Sequence, residues 1–69
     1  MADQFEVGTV IRWNDERGYG FIKPETGLNN LFFHFTSVLS PERPKLGDRV
    51  SYRPAQAERG PVAREVAIF

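Results

Sequence analysis

Residues 17–35 read RGYGFIKPETGLNNLFFHF, and the side on which their rings lie decides the fold. Pro24 cannot donate to a β-ladder, and the stretch after it carries turn residues. The sequence therefore divides into an extended segment over 18–23, a turn, and a second extended segment over 30–35. Side chains alternate between the two faces of a strand. Tyr19, Phe21 and Lys23 thus share one face, and Gly18, Gly20 and Ile22 the other. Phe32 and His34 lie opposite Leu31, Phe33 and Phe35. With Ile22, Leu31 and Phe33 inward, the glycines suit a tightly curved sheet that has little room at a bend. The other face then collects Tyr19, Phe21, Phe32 and His34, with Arg17 and Lys23 near its rim. Both faces of the later segment are apolar, so the pattern alone also admits the reverse register. That register would bury Lys23 and His34.

Working outward from this centre, no segment of ten or more residues shows helical periodicity. Gly and Pro punctuate the chain throughout, which suggests a meander of short strands. The segment from Phe5 to Asn14 is rich in β-branched and aromatic residues and reads as a first strand. NDERG turns it into the strand over 18–23. TSVLSPERPKLGD holds two prolines and reads as a short helical turn and a loop, with Gly47-Asp48 as a further turn. Arg49 to Ala55 is a fourth strand, in which Val50 and Tyr52 alternate with Arg49, Ser51 and Arg53. AERGP turns the chain into a fifth, Val62 to Phe69. Val50, and Val66 or Ile68, are expected to join the core. Five antiparallel strands in so short a chain best avoid open edges by closing into a small barrel, the oligonucleotide-binding (OB) type being the leading candidate. Arg49, Arg53 and Arg64 then read as residues that keep strands soluble and block edge pairing.

The 69 residues bound the answer at one domain, 1–69. With no cysteine there is neither a disulfide framework nor a thiolate metal site. His34 is the only histidine, so no metal is expected. No apolar run approaches a membrane span, and MADQFEVG lacks a leader's basic start and apolar stretch. A cytoplasmic protein without membrane association is expected. Nine basic residues balance nine acidic ones, which removes any whole-molecule basic field. The distribution is uneven: five acids and three bases up to Asn30, then four acids and six bases. Anion binding must therefore come from a local patch. Glu25 and the Asp15-Glu16 pair read as turn solvation, with no partner base for acid–base work. Neither an enzyme nor a cofactor is expected.

A face of rings edged by cations suits single-stranded nucleic acid. Every base offers a π-face, and stacking on an aromatic ring is worth roughly 1–3 kcal/mol per base. Exposing a large ring forfeits about 1.5–3 kcal/mol of burial. A small domain spares that only where a ligand needs the ring.

RGYGFIKP, residues 17–24, closely resembles the first ribonucleoprotein motif of the cold-shock domain proteins, and LFFHF, residues 31–35, resembles their second. GTVIRWN upstream looks like the family's opening Gly-Lys-Val-Lys-Trp-Phe-Asn, and ERGPVAREV is similar to its Arg-Gly-Pro-x-Ala stretch. The match runs in order from about Val7 to Val66. The resemblance implies a five-stranded OB barrel that binds single-stranded RNA or DNA without catalysis, as an RNA chaperone keeping transcripts open for translation or antitermination. It assigns stacking to Tyr19, Phe21, Phe32, His34 and Phe35, with Trp13 at the margin. Arg17 matches the basic residue opening the first motif, and Arg59 a phosphate contact before Gly-Pro; Lys23 is a further candidate. The departures are specific. Arg12 stands where the family usually has a Trp on the binding face, and a guanidinium plane can stack and pair with phosphate. Thr9 and Ile11 replace basic residues, and Asn30 replaces an acid. The loop from Ser40 to Lys45 has no aromatic, Arg43 being the nearest substitute. These changes point to weaker or more selective binding. A monomer is expected. The competing reading is the same barrel as a protein-interaction or dimerisation module.

Overall fold

The computed structural model describes residues 4–69. Met1 to Asp3, the start of the segment searched for a leader pattern, lie outside them. Five strands follow one another: β1 (Glu6–Asn14), β2 (Tyr19–Pro24), β3 (Leu31–His34), β4 (Arg49–Ala57) and β5 (Gly60–Ile68). A 3-10 turn over Phe35–Ser37 follows β3. The strands close in the ring order β1-β2-β3-β5-β4, an OB barrel. One expectation needs correcting: not every pair is antiparallel. β3 and β5 run parallel, meeting at Phe32 and Val62. Parity requires it, because directions cannot alternate all the way round a ring of five. The β4–β5 hairpin also extends further than expected, so its turn shrinks to Glu58 and Arg59.

The core is the face predicted to be inward. Val10, Ile22, Leu31, Phe33, Val50, Tyr52, Ala63 and Val66 are buried, and Ile68 packs against them half-buried. The reverse register is thereby excluded. β1 departs from simple alternation at Ile11, where its register against β2 shifts between Val10 and Arg12. The cause lies in the loop before β4. Val10 donates its N–H to the Asp48 carbonyl, and its own carbonyl accepts from Gly47 N–H, both at 2.9 Å. Gly47 makes that approach at φ +91°, a left-handed conformation that favours glycine. The extra residue is a β-bulge, and a bulge re-aims the side chains that follow it. Arg12 consequently moves to the outer face, while Trp13 packs on the core.

Two of the three arginines expected to guard strand edges have ionic partners. Arg49 instead pairs with Glu25, and Arg53 pairs with Glu65 at 3.3 Å. Glu25 was expected only to solvate a turn; it ties the β2–β3 turn to β4. Tyr52 lies opposite Glu6 in the β1–β4 ladder. Burial, and after it the Glu6 carboxylate, push the Tyr52 phenol up to about 12 from its usual 10.0. The raised value favours the neutral ring in the fold. This stabilisation is complete below about pH 10 and is lost as pH rises toward about 12. Tyr52→Phe is therefore expected to flatten the fall of the urea midpoint between pH 10 and 12. An unchanged alkaline limb would show that another group drives it.

Candidate nucleic-acid interface

Strand register sets the outer face into rows. Arg12 pairs with Phe21, Phe21 with Phe32, and Phe32 with Val62, so one row crosses four strands. A second row runs Asn14, Tyr19, His34, and a third pairs Thr9 with Lys23. Tyr19, Phe21, Phe32 and His34 are all half-buried, each part packed on a neighbouring ring and part open to solvent. Phe32 is the hub: its ring centroid lies 5.6 Å from Tyr19 and 5.8 Å from Phe21, the latter edge-on. These spacings are normal for favourable aromatic pairs.

Phe35 reaches the same region by a different route. It begins the 3-10 turn, so strand parity no longer governs it, and it is 49% exposed. Its ring sits 4.9 Å from that of His34 and lies against Gly18, where a Cβ would come within 2.5 Å of its Cδ2. Gly18 also has φ +73° and accepts a 2.8 Å bond from Phe35 N–H. His34 caps the turn: Thr36 N–H donates to its Nδ1 at 3.2 Å. The Thr36 hydroxyl lies 3.0 Å from the same nitrogen.

Trp13 is not a free platform. It packs on the core, stacks on Phe33 at 5.3 Å, and donates its indole N–H to Asp15 at 3.0 Å. Asp15 also accepts from Arg43 at 3.1 Å, so the loop without an aromatic is tied to the β1–β2 turn. The Trp13 hydrogen bond first, and then Arg43, hold the Asp15 carboxyl below its usual range. Asp15 was read as turn solvation; it anchors an indole and a loop instead. The link to Arg43 has no local signal, since the two residues are remote in the chain; the bond from Trp13 is local.

The rings border two open grooves that meet at Phe21. One, of about 550 Å³, includes Arg12, Trp13, Asp15, Glu16 and Tyr19 in its lining. The other, of about 480 Å³, includes Phe32, Arg59, Pro61 and Val62. Of the four cations singled out, Arg12 and Arg59 therefore flank the rings. Arg17 lies in the β1–β2 turn and Lys23 beside Thr9, both exposed and outside the two grooves.

A closed five-stranded barrel with a row of half-open rings across adjacent strands defines an OB-fold domain with an aromatic face. The chain belongs to the cold-shock domain family: residues 6–69 match the family described as the "Cold-shock" DNA-binding domain. It is 40% identical over 66 residues to the cold shock-like protein CspA of Bordetella pertussis, covering 93% of this chain and 98% of that one. Over 66 residues it is 38% identical to the cold shock protein CapB of Pseudomonas syringae pv. tomato, covering 93% and 94%. Among solved structures, "drosophila Unr CSD456" superimposes with a TM-score of 0.83 at 29% identity, over 99% of this chain and 28% of that one.

Proposed function

We propose that this protein binds single-stranded nucleic acid, stacking unpaired bases on Tyr19, Phe21, Phe32, His34 and Phe35, with Trp13 at the margin. Arg12 and Arg59 meet phosphates or base edges in the grooves, and Arg17 and Lys23 attract the backbone from the rim. The observation that carries this reading is the row of rings left half-open on the outside of a barrel whose core is already complete. A ring there forfeits burial and regains it only under a flat partner. Stacking competes with base pairing, so the protein shifts marginal hairpins toward the open strand without hydrolysing anything. That is the activity of an RNA chaperone.

Titration with a short oligopyrimidine, followed by Trp13 fluorescence, tests the proposal. Saturable quenching is expected, weakened by about 1–3 kcal/mol in Phe21→Ala. With two or three phosphates neutralised, affinity should fall gently with salt, at a slope near −0.7 per contact. Absence of binding at low ionic strength, or a Phe21→Ala variant that binds as well as the wild type, would defeat it. Self-association without oligonucleotide binding would favour the protein-interaction reading.

A further inference from the structure

Both grooves along the aromatic face set a guanidinium beside a carboxylate, Arg59 with Glu58 beyond Phe32, but the one walled by Trp13 is the richer in acids. The groove beside Tyr19 and Phe21 contains a guanidinium, from Arg12, and two carboxylates, from Asp15 and Glu16. Asp15 is committed to Trp13 and Arg43. Among the described residues, the side chains of Arg12 and Glu16 make no hydrogen bond or ion pair, and both are exposed. A carboxylate at a site for a polyanion repels the backbone. It is useful there only if a base donates to it.

Guanine is the base that suits both groups. It offers a guanidinium two acceptors, O6 and N7, the commonest bidentate contact of arginine with a base. It also offers a carboxylate two adjacent donors, N1–H and the N2 amino group. Adenine presents an arginine with one acceptor beside a donor at N7 and N6. Cytosine has a single amino group, and uracil a single N3–H between two carbonyls. In an unpaired strand both edges are open to protein contact.

We infer that this groove is a guanine subsite: Arg12 donates to O6 and N7, Glu16 accepts from N1–H and N2–H₂, and the purine stacks on Tyr19 or Phe21. The inference rests on the single-strand-binding reading above. It makes Arg12, which stands where a stacking ring was expected, a specificity residue. The wall it works against is fixed in advance, because Trp13 is held both by Phe33 and by Asp15.

The test compares three nine-nucleotide RNAs by Trp13 fluorescence: all uridine, uridine with one central guanosine, and the same strand with inosine, which lacks the N2 amino group. The guanosine strand should bind on the order of tenfold more tightly than all-uridine. Inosine should lose much of that gain. Glu16→Ala should erase the difference between guanosine and inosine, and Arg12→Gln should reduce the preference of both over uridine by the share that O6 and N7 supply. Both positions are exposed, and circular dichroism will verify that each variant keeps the barrel. Guanosine monophosphate alone should compete poorly, since it occupies one subsite; strong competition would overturn a strand-borne guanine as the ligand. Equal binding of all three strands, or a preference that survives both substitutions, would overturn the guanine subsite and leave single-strand binding intact. Failure of every strand to bind would remove the broader reading and the subsite with it.

Discussion

Phe33→Ala is expected to remove most of the barrel's stability and bring it close to its unfolding midpoint at room temperature, whereas Phe32→Ala, one residue away, is expected to leave a folded barrel with little affinity. Phe33 is 1% exposed, stacks on Trp13, and sits among the core residues. Truncating a buried Phe costs about 3–5 kcal/mol through lost transfer energy and the cavity left behind. A domain this short buries only ~60% of its unfolded surface, so its whole stability belongs near the low end of the usual ~5–15 kcal/mol. Phe32 faces outward and is half-buried, so the same truncation removes far less burial. It is, however, the ring that touches both Tyr19 and Phe21. Its loss should remove about 1–3 kcal/mol of stacking directly and loosen the rings on either side. Urea denaturation and oligonucleotide titration of the two variants read these effects separately. An unfolded Phe32→Ala beside a stable Phe33→Ala would mean that the barrel has been assigned inside out.

Gly20→Ala should be nearly as damaging, although it only adds a methyl group. Gly20 is paired with Trp13 on one side and Phe33 on the other, and the two rings stack over its bare Cα. An added Cβ would lie inside contact distance of the Arg12 carbonyl oxygen and 2.9 Å from Trp13 Cε3. A flexible side chain could yield, but a backbone carbonyl in a ladder cannot. β1 and β2 would have to part, at a cost above the ~1–3 kcal/mol usual for overpacking. The row from Arg12 to Phe21 would be disturbed with them. Gly27→Ala makes a useful contrast: φ is +82° there, but nothing lies within 4 Å, so its cost is conformational only, roughly 1 kcal/mol. The urea midpoint and the position of Trp13 emission measure both. A Gly20→Ala protein as stable as the wild type would rule out the stack over Gly20.

The parts of the site that could be read in the sequence are those governed by local rules. Over Tyr19–Lys23 and Leu31–His34 the strands alternate without interruption, and Pro24 ends the first of them, so face and core separate on inspection. Arg12 is different. Counting from Gly8 and Val10 by simple alternation puts it inside, and only the bulge at Ile11 brings it out. The bulge is made by Gly47 and Asp48, which are distant in the chain, so nothing around Arg12 signals it. Its outward place came from the family resemblance. The ion pairs of Asp15 and Glu25 lack a local signal for the same reason, since Arg43 and Arg49 are remote in the chain, whereas the bond from Trp13 to Asp15 spans two residues. Phe35 lies on the core side by parity, and the 3-10 turn overrides that. The parallel seam, by contrast, was available to arithmetic: closure of five strands implies it.

The row from Arg12 to Val62 also sets a length. Neighbouring strands lie about 4.8 Å apart, so four of them span about 14 Å. OB folds occupy roughly 4–16 nucleotides, and a platform this narrow belongs at the short end. For the single-strand binding proposed above, a long strand is then a run of overlapping addresses, those that present a guanine being held more firmly. How much of it stays covered depends on how many copies of the protein the solution supplies, each replaceable by its neighbour. Abundance, more than tightness of grip, becomes the quantity that a cell would adjust.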